Sequence, residues 1–203
     1  MRGTLARRAA QKLTVALFFL EAECALGQAQ ASPSASPAQN WRASASYGQA
    51  SAPRSQGFAE FASLGLAREF DLGSRFSLSI EFTPLFVVNE TRVDLPGRPR
   101  EAAWAAAVSP VFAWTYAPER SRFGLRLEGG VGIIWGFSPI PAEGSRFNFL
   151  DQLAGIVTVR AGTGRFASFG VRRLHVSNLG LAGKDNPGLS FYAGVAGVSW
   201  SAR

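Results

Sequence analysis

The most constraining feature of this chain is an alternation of period two sustained over long segments. Trp104, Ala106, Val108, Pro110, Phe112, Trp114 and Tyr116 fall on one face of an extended chain, with Ala105, Ala107, Ser109 and Ala113 on the other. Phe76, Leu78, Ile80 and Phe82 alternate with Ser77, Ser79, Glu81 and Thr83. Phe123, Leu125, Leu127, Val131, Ile133 and Trp135 oppose Arg126 and Glu128. Successive side chains of a strand point to opposite sides, so this pattern builds strands with one apolar face. A helix would repeat near 3.6 residues instead.

Eight such segments can be drawn, over residues 40–49, 58–70, 75–88, 102–117, 122–136, 146–161, 165–177 and 189–200. An even number of strands suits a closed up-and-down barrel. The connections at 71–74, 118–121 and 162–164 are tight turns, whereas 50–57, 89–101, 137–145 and 178–188 are longer. Short turns on one rim and long loops on the other match an all-β, eight-stranded antiparallel outer-membrane β-barrel. The segments are also long enough for strands that cross a bilayer at a tilt, which need about 9 to 11 residues. Trp41, Trp104, Trp114, Trp135 and Trp200 all fall near strand ends, where an aromatic girdle would sit.

A soluble β-sandwich would alternate in the same way with its apolar faces turned inward, and alternation does not reveal which way a face points. A helical membrane span is excluded more firmly. The charge-free run from Ala102 to Ala117 contains Pro110, repeats its aromatic residues at every second position, and falls short of the about 20 residues such a helix needs.

The 203 residues leave room for one domain with a substantial core. Residues 1–31 read as a signal peptide: Arg2, Arg7, Arg8 and Lys12 begin it, Leu13 to Leu20 is apolar, and Ala29-Gln30-Ala31 offers a cleavage site. Residues 32–39, rich in Ser, Pro, Ala and Gln, read as a flexible linker, and residues 40–203 as the barrel. Cleavage would remove Cys24, the single cysteine, and with it any disulfide or cysteine-based metal site. His175, the single histidine, cannot build a zinc site alone.

The net charge of +7 falls to +5 without the leader, leaving 17 bases against 12 acids. The arginines are scattered at strand ends rather than gathered in a stripe, which argues against nucleic acid and for anionic lipid headgroups as partner. Arg126 and Glu128 fall on a polar face and would line a lumen that eight strands leave just wide enough for side chains. A pore is therefore not expected. The chain has no phosphate-binding Gly-rich loop, no G-x-S-x-G elbow and no calcium loop.

Chemistry concentrates in Arg173-Leu174-His175-Val176-Ser177-Asn178. Residues two apart on a strand share a face, so His175 and Ser177 project together near one end of the seventh strand. A serine hydroxyl is inert until a neighbouring base takes its proton, and this pair supplies both groups. An interfacial histidine and serine without catalytic duty would show the same spacing.

The run His175-Val176-Ser177-Asn178-Leu179-Gly180, followed by Asn186-Pro187-Gly188 and a last strand, resembles the C-terminal signature of the lipid A 3-O-deacylase, or PagL-like acyloxyacyl hydrolase, family. The resemblance implies an esterase of the bacterial outer membrane that removes a 3-O-linked acyl chain from the lipid A of lipopolysaccharide, with a homodimer left open. It implies that Ser177 attacks the ester and His175 acts as general base, while Asn178 and the backbone near Gly180 hold the oxyanion, and it implies no metal or organic cofactor. The family's orienting glutamate should lie near Leu189 or Ser190, but Leu189 to Arg203 contains no side-chain carboxylate. Asp185 is the nearest substitute, although it also reads as a turn residue before Asn186-Pro187-Gly188. Ser190 could orient the ring more weakly. A non-catalytic barrel with a structural or surface role is the alternative.

Overall fold

Each alternating segment forms a strand. The computed structural model describes residues 40–51, 58–73, 75–91, 101–117, 121–141, 144–180 and 188–201. The leader at 1–31, the linker at 32–39 and Asp185 lie outside them. The strands are β1 (Asn40–Ser51), β2 (Phe58–Asp71), β3 (Phe76–Thr91), β4 (Glu101–Tyr116), β5 (Phe123–Ile140), β6 (Ser145–Gly162), β7 (Arg165–Ser177) and β8 (Leu189–Ser201). Each pairs antiparallel with its neighbours in sequence, and β1 closes on β8 through a ladder from Asn40↔Ser201 to Ser51↔Ser190. The barrel therefore has no open sheet edge, and every strand keeps a hydrogen-bonding partner on both sides.

The faces are oriented as a membrane barrel requires. Ser77, Ser79, Glu81 and Thr83 of β3 are buried inside, whereas Phe76, Ile80 and Phe82 are exposed outside. In β4, Ala105, Ala107, Ser109 and Ala113 point inward and Trp104, Val108 and Tyr116 outward. The five tryptophans mark two rims. Trp41 and Trp200 pair across the β1–β8 seam at the short-turn rim, where Trp114 stacks on Tyr116 with centroids 6.2 Å apart. Trp104 and Trp135 stand near the loop rim.

Two differences from the alternation alone have local causes. The segment 137–145, expected as a long loop, is mostly strand: β5 continues to Ile140 and β6 starts at Ser145, with Gly144 N donating to Pro141 O at 2.7 Å between them. Gly136, Ser138 and the two prolines disguise this stretch as loop. The other difference is that the lumen is not polar throughout. Between Thr83 and Phe86, β3 holds one residue more than β2 and β4 do, because Thr83↔Ala107 is followed by Phe86↔Ala105. This bulge at Pro84 and Leu85 reverses the facing of all that follows, turning Phe86 and Val88 inward.

The lumen consequently has two halves. Toward the loop rim it is filled by Phe61, Phe86 and Phe191, whose rings lie 4.9 to 6.3 Å apart, packed with Val88, Ile134, Ile140, Leu150, Leu174, Val176 and Leu189. Toward the turn rim it holds a buried ionic cluster. Arg42 Nη2 donates to Glu81 Oε2 at 3.0 Å and its Nη1 to Glu128. Arg172 Nη1 donates to Glu81 Oε1 at 3.0 Å, and Arg126 bridges Glu128 at 2.7 Å and Glu69 at 2.8 Å. Three arginines meet three glutamates, so the charges balance where solvation is poor. Arg126 and Glu128 thus line the lumen, as their alternation predicts.

Candidate active site on the outer wall

The parity of β7 decides where its chemistry points. Leu174 and Val176 are buried in the apolar half of the lumen, which fixes Arg173, His175 and Ser177 on the outer wall. The ladders place His175 between Asp151 of β6 and Ser190 of β8, and Ser177 beside Phe149. His175 Nδ1 lies 2.9 Å from Ser190 Oγ. With the proton on Nδ1, the ring donates to that hydroxyl and Nε2 keeps a lone pair, as a general base needs.

Nε2 faces Ser177 across Gly188. A methyl group on Gly188 would stand 2.8 Å from His175 Cε1, 3.1 Å from Nε2 and 3.3 Å from Ser177 Cβ. Its φ of +66° is also one that glycine adopts most readily. The missing side chain leaves free the space shared by Nε2 and Ser177. Ser177 and His175 are not hydrogen-bonded to each other at rest. Such bonds often form only with substrate bound.

Asn178 and Gly180 are arranged differently. Asn178 is buried, and its Oδ1 accepts the Gly180 N–H at 2.9 Å in a side-chain-to-backbone turn. Its Nδ2 reaches Ser145 Oγ only at 3.4 Å. Leu179 between them adopts φ of 55°, an uncommon conformation for a residue with a branched side chain. The structure therefore brings His175, Ser177, Ser190 and Gly188 together on the outer wall, and Asn178 and Gly180 pair with each other at the rim.

Asp151 was not among the residues singled out by spacing. Its outward neighbours along β6 are Phe147, Phe149, Leu153 and Val157, so an acid interrupts an apolar face. That interruption is the signal by which the sequence marks it. With Arg173, His175, Ser177 and Ser190 it forms a polar patch on a wall otherwise carrying Phe147, Leu153, Phe169, Val171, Tyr192 and Val198.

The sequence profile of the lipid A 3-O-deacylase (PagL) family matches residues 33–199. The chain belongs to this family. Among curated proteins, no relative matches. Solved structures agree with the fold of this deacylase family member. The crystal structure of the outer membrane enzyme PagL is 21% identical with a TM-score of 0.56, covering 77% of this chain and 97% of that one. That of Neisserial surface protein A is 12% identical with a TM-score of 0.58, covering 81% and 97%. The deacylase-family barrel resides in the bacterial outer membrane, so its apolar wall faces lipid, and the polar patch of β6, β7 and β8 lies on that wall.

Proposed function

We infer that this protein is an outer-membrane ester hydrolase that removes a 3-O-linked acyl chain from lipid A, with Ser177 as nucleophile and His175 as base. The observation that carries this reading is the placement of His175 and Ser177 side by side on the lipid-facing wall of a barrel from the deacylase family. A substrate embedded in the outer leaflet can bring an ester to such a wall without leaving the membrane.

In this mechanism Ser177 Oγ attacks the ester carbonyl as its proton passes to His175 Nε2. The tetrahedral intermediate collapses, the C–O bond to the sugar breaks, and Nε2 returns the proton to the departing hydroxyl. Water then hydrolyses the acyl-serine by the same proton route, releasing a fatty acid. Ser190 holds the ring from the Nδ1 side. Asn178 and the Gly180 amide would serve the oxyanion only after the hydrogen bond between them opens.

The test is mass spectrometry of lipid A from a host lacking such an enzyme. Expression should remove one 3-O-linked acyl chain, and Ser177→Ala should abolish that loss while the folded barrel remains. Deacylation that survives in Ser177→Ala would sink the serine mechanism. A second reading, a non-catalytic barrel, draws support from the lack of any carboxylate in β8. A folded wild-type protein that leaves lipid A intact would favour it.

A further inference from the structure

In a Ser-His-acid centre the acid does two things: it fixes the histidine tautomer, and its charge stabilises the imidazolium that forms when the serine is deprotonated. On the β8 side of His175 stands Ser190, a neutral hydroxyl 2.9 Å from Nδ1. It can hold the tautomer, but it carries no charge. On the β6 side stands Asp151, the direct ladder partner of His175 and on the same outer face. Side chains so paired have Cβ atoms about 4.5 to 5.5 Å apart. We propose that Asp151 supplies the negative charge that stabilises the His175 imidazolium, so that the two duties of one acid are divided between Ser190 and Asp151. This rests on the reading of His175 as the base.

A carboxylate is costly on a lipid-facing wall unless a partner or a function retains it. Among the described residues, Asp151 makes no ion pair or hydrogen bond at rest, and its outward neighbours Phe149, Leu153 and Val131 offer none. The groups able to carry positive charge on the facing strand are His175 opposite and Arg173 diagonally, with Leu153 across from Arg173. The groups facing the His175 ring are Asp151 from β6, Ser190 and Tyr192 from β8, and Arg173 and Ser177 from its own strand. Of these, Arg173 disfavours a second positive charge and Asp151 alone favours it. Away from bulk water, such an interaction is stronger than on a solvated surface.

Removing the charge should act on the step in which the imidazolium forms rather than on substrate binding. Asp151→Asn should lower kcat by roughly 10- to 100-fold with KM little changed. Asp151→Glu, which keeps the charge, should restore most of kcat.

The kinetics of these variants are compared with those of Ser177→Ala, using the full-length protein folded in mixed micelles with lipid A. An inactive Ser177→Ala together with an unchanged kcat in Asp151→Asn, or a loss in Asp151→Asn confined to KM, would overturn the role of Asp151 while leaving the serine mechanism standing. An active Ser177→Ala would overturn both. Recovery of the wild-type kcat in Asp151→Asn/Arg173→Gln would show that Asp151 serves only to neutralise Arg173, and would also overturn the proposal. A lowered kcat in Asp151→Asn, restored by Glu but not by removal of Arg173, supports it.

Discussion

Gly188 is where one atom decides access to the centre. Its positive φ and the nearness of His175 Nε2 and Ser177 Cβ both exclude a side chain. In the proposed mechanism Gly188→Ala should reduce deacylation by about 100-fold, by occupying the space between His175 and Ser177 that the ester would enter. Backbone strain alone is controlled by Gly164→Ala at the opposite rim, where φ is +63° and the nearest atom is the movable Ser201 hydroxyl. That variant should keep most of the activity, as measured by the rate of acyl release from micellar lipid A. At this scale the sequence displays the pairing of His175 with Ser177, because both lie in one strand two residues apart. It conceals Asp151, because which β6 residue faces His175 depends on register between strands, set by turns and bulges elsewhere. The Asn178 and Gly180 contact was also hidden, since it depends on Leu179 entering the left-handed region.

Strands behave as units of parity, and β3 shows what one additional residue does. Pro84 and Leu85 form the bulge that turns Phe86 and Val88 from the wall into the lumen. Deleting Pro84 would remove the extra residue and leave Phe86 and Val88 facing inward, whereas inserting one residue between Leu85 and Phe86 would send both side chains outward and take Phe86 from its contacts with Phe61 and Phe191. The insertion variant should fail to form the folded barrel, seen as loss of the heat-modifiable band on electrophoresis, and the Pro84 deletion should retain that band. The remaining strands were legible because lipid outside and polar side chains inside impose opposite demands on alternate residues. The exception is the β5–β6 hairpin, where glycine and proline carry turn chemistry into a paired segment. Local composition cannot report pairing that is stabilised by the neighbouring strand.

Across the molecule, the lumen joins an apolar half, behind the site, to an ionic half at the turn rim. Glu128 receives Arg126 and Arg42 and lies 3.5 Å from Arg172, so its removal leaves buried positive charge uncompensated. Glu128→Ala should cost about 3 to 5 kcal/mol of stability, read as a lower urea midpoint for the barrel in vesicles. The outer wall leads to a different kind of consequence. Under the proposed activity, a centre on a lipid-facing surface would meet its ester by lateral diffusion, so the quantity that sets turnover would be the mole fraction of substrate in the surrounding leaflet. Diluting lipid A with inert amphiphile at constant bulk concentration slows such an enzyme, and the packing of neighbouring lipids becomes a rheostat on its rate.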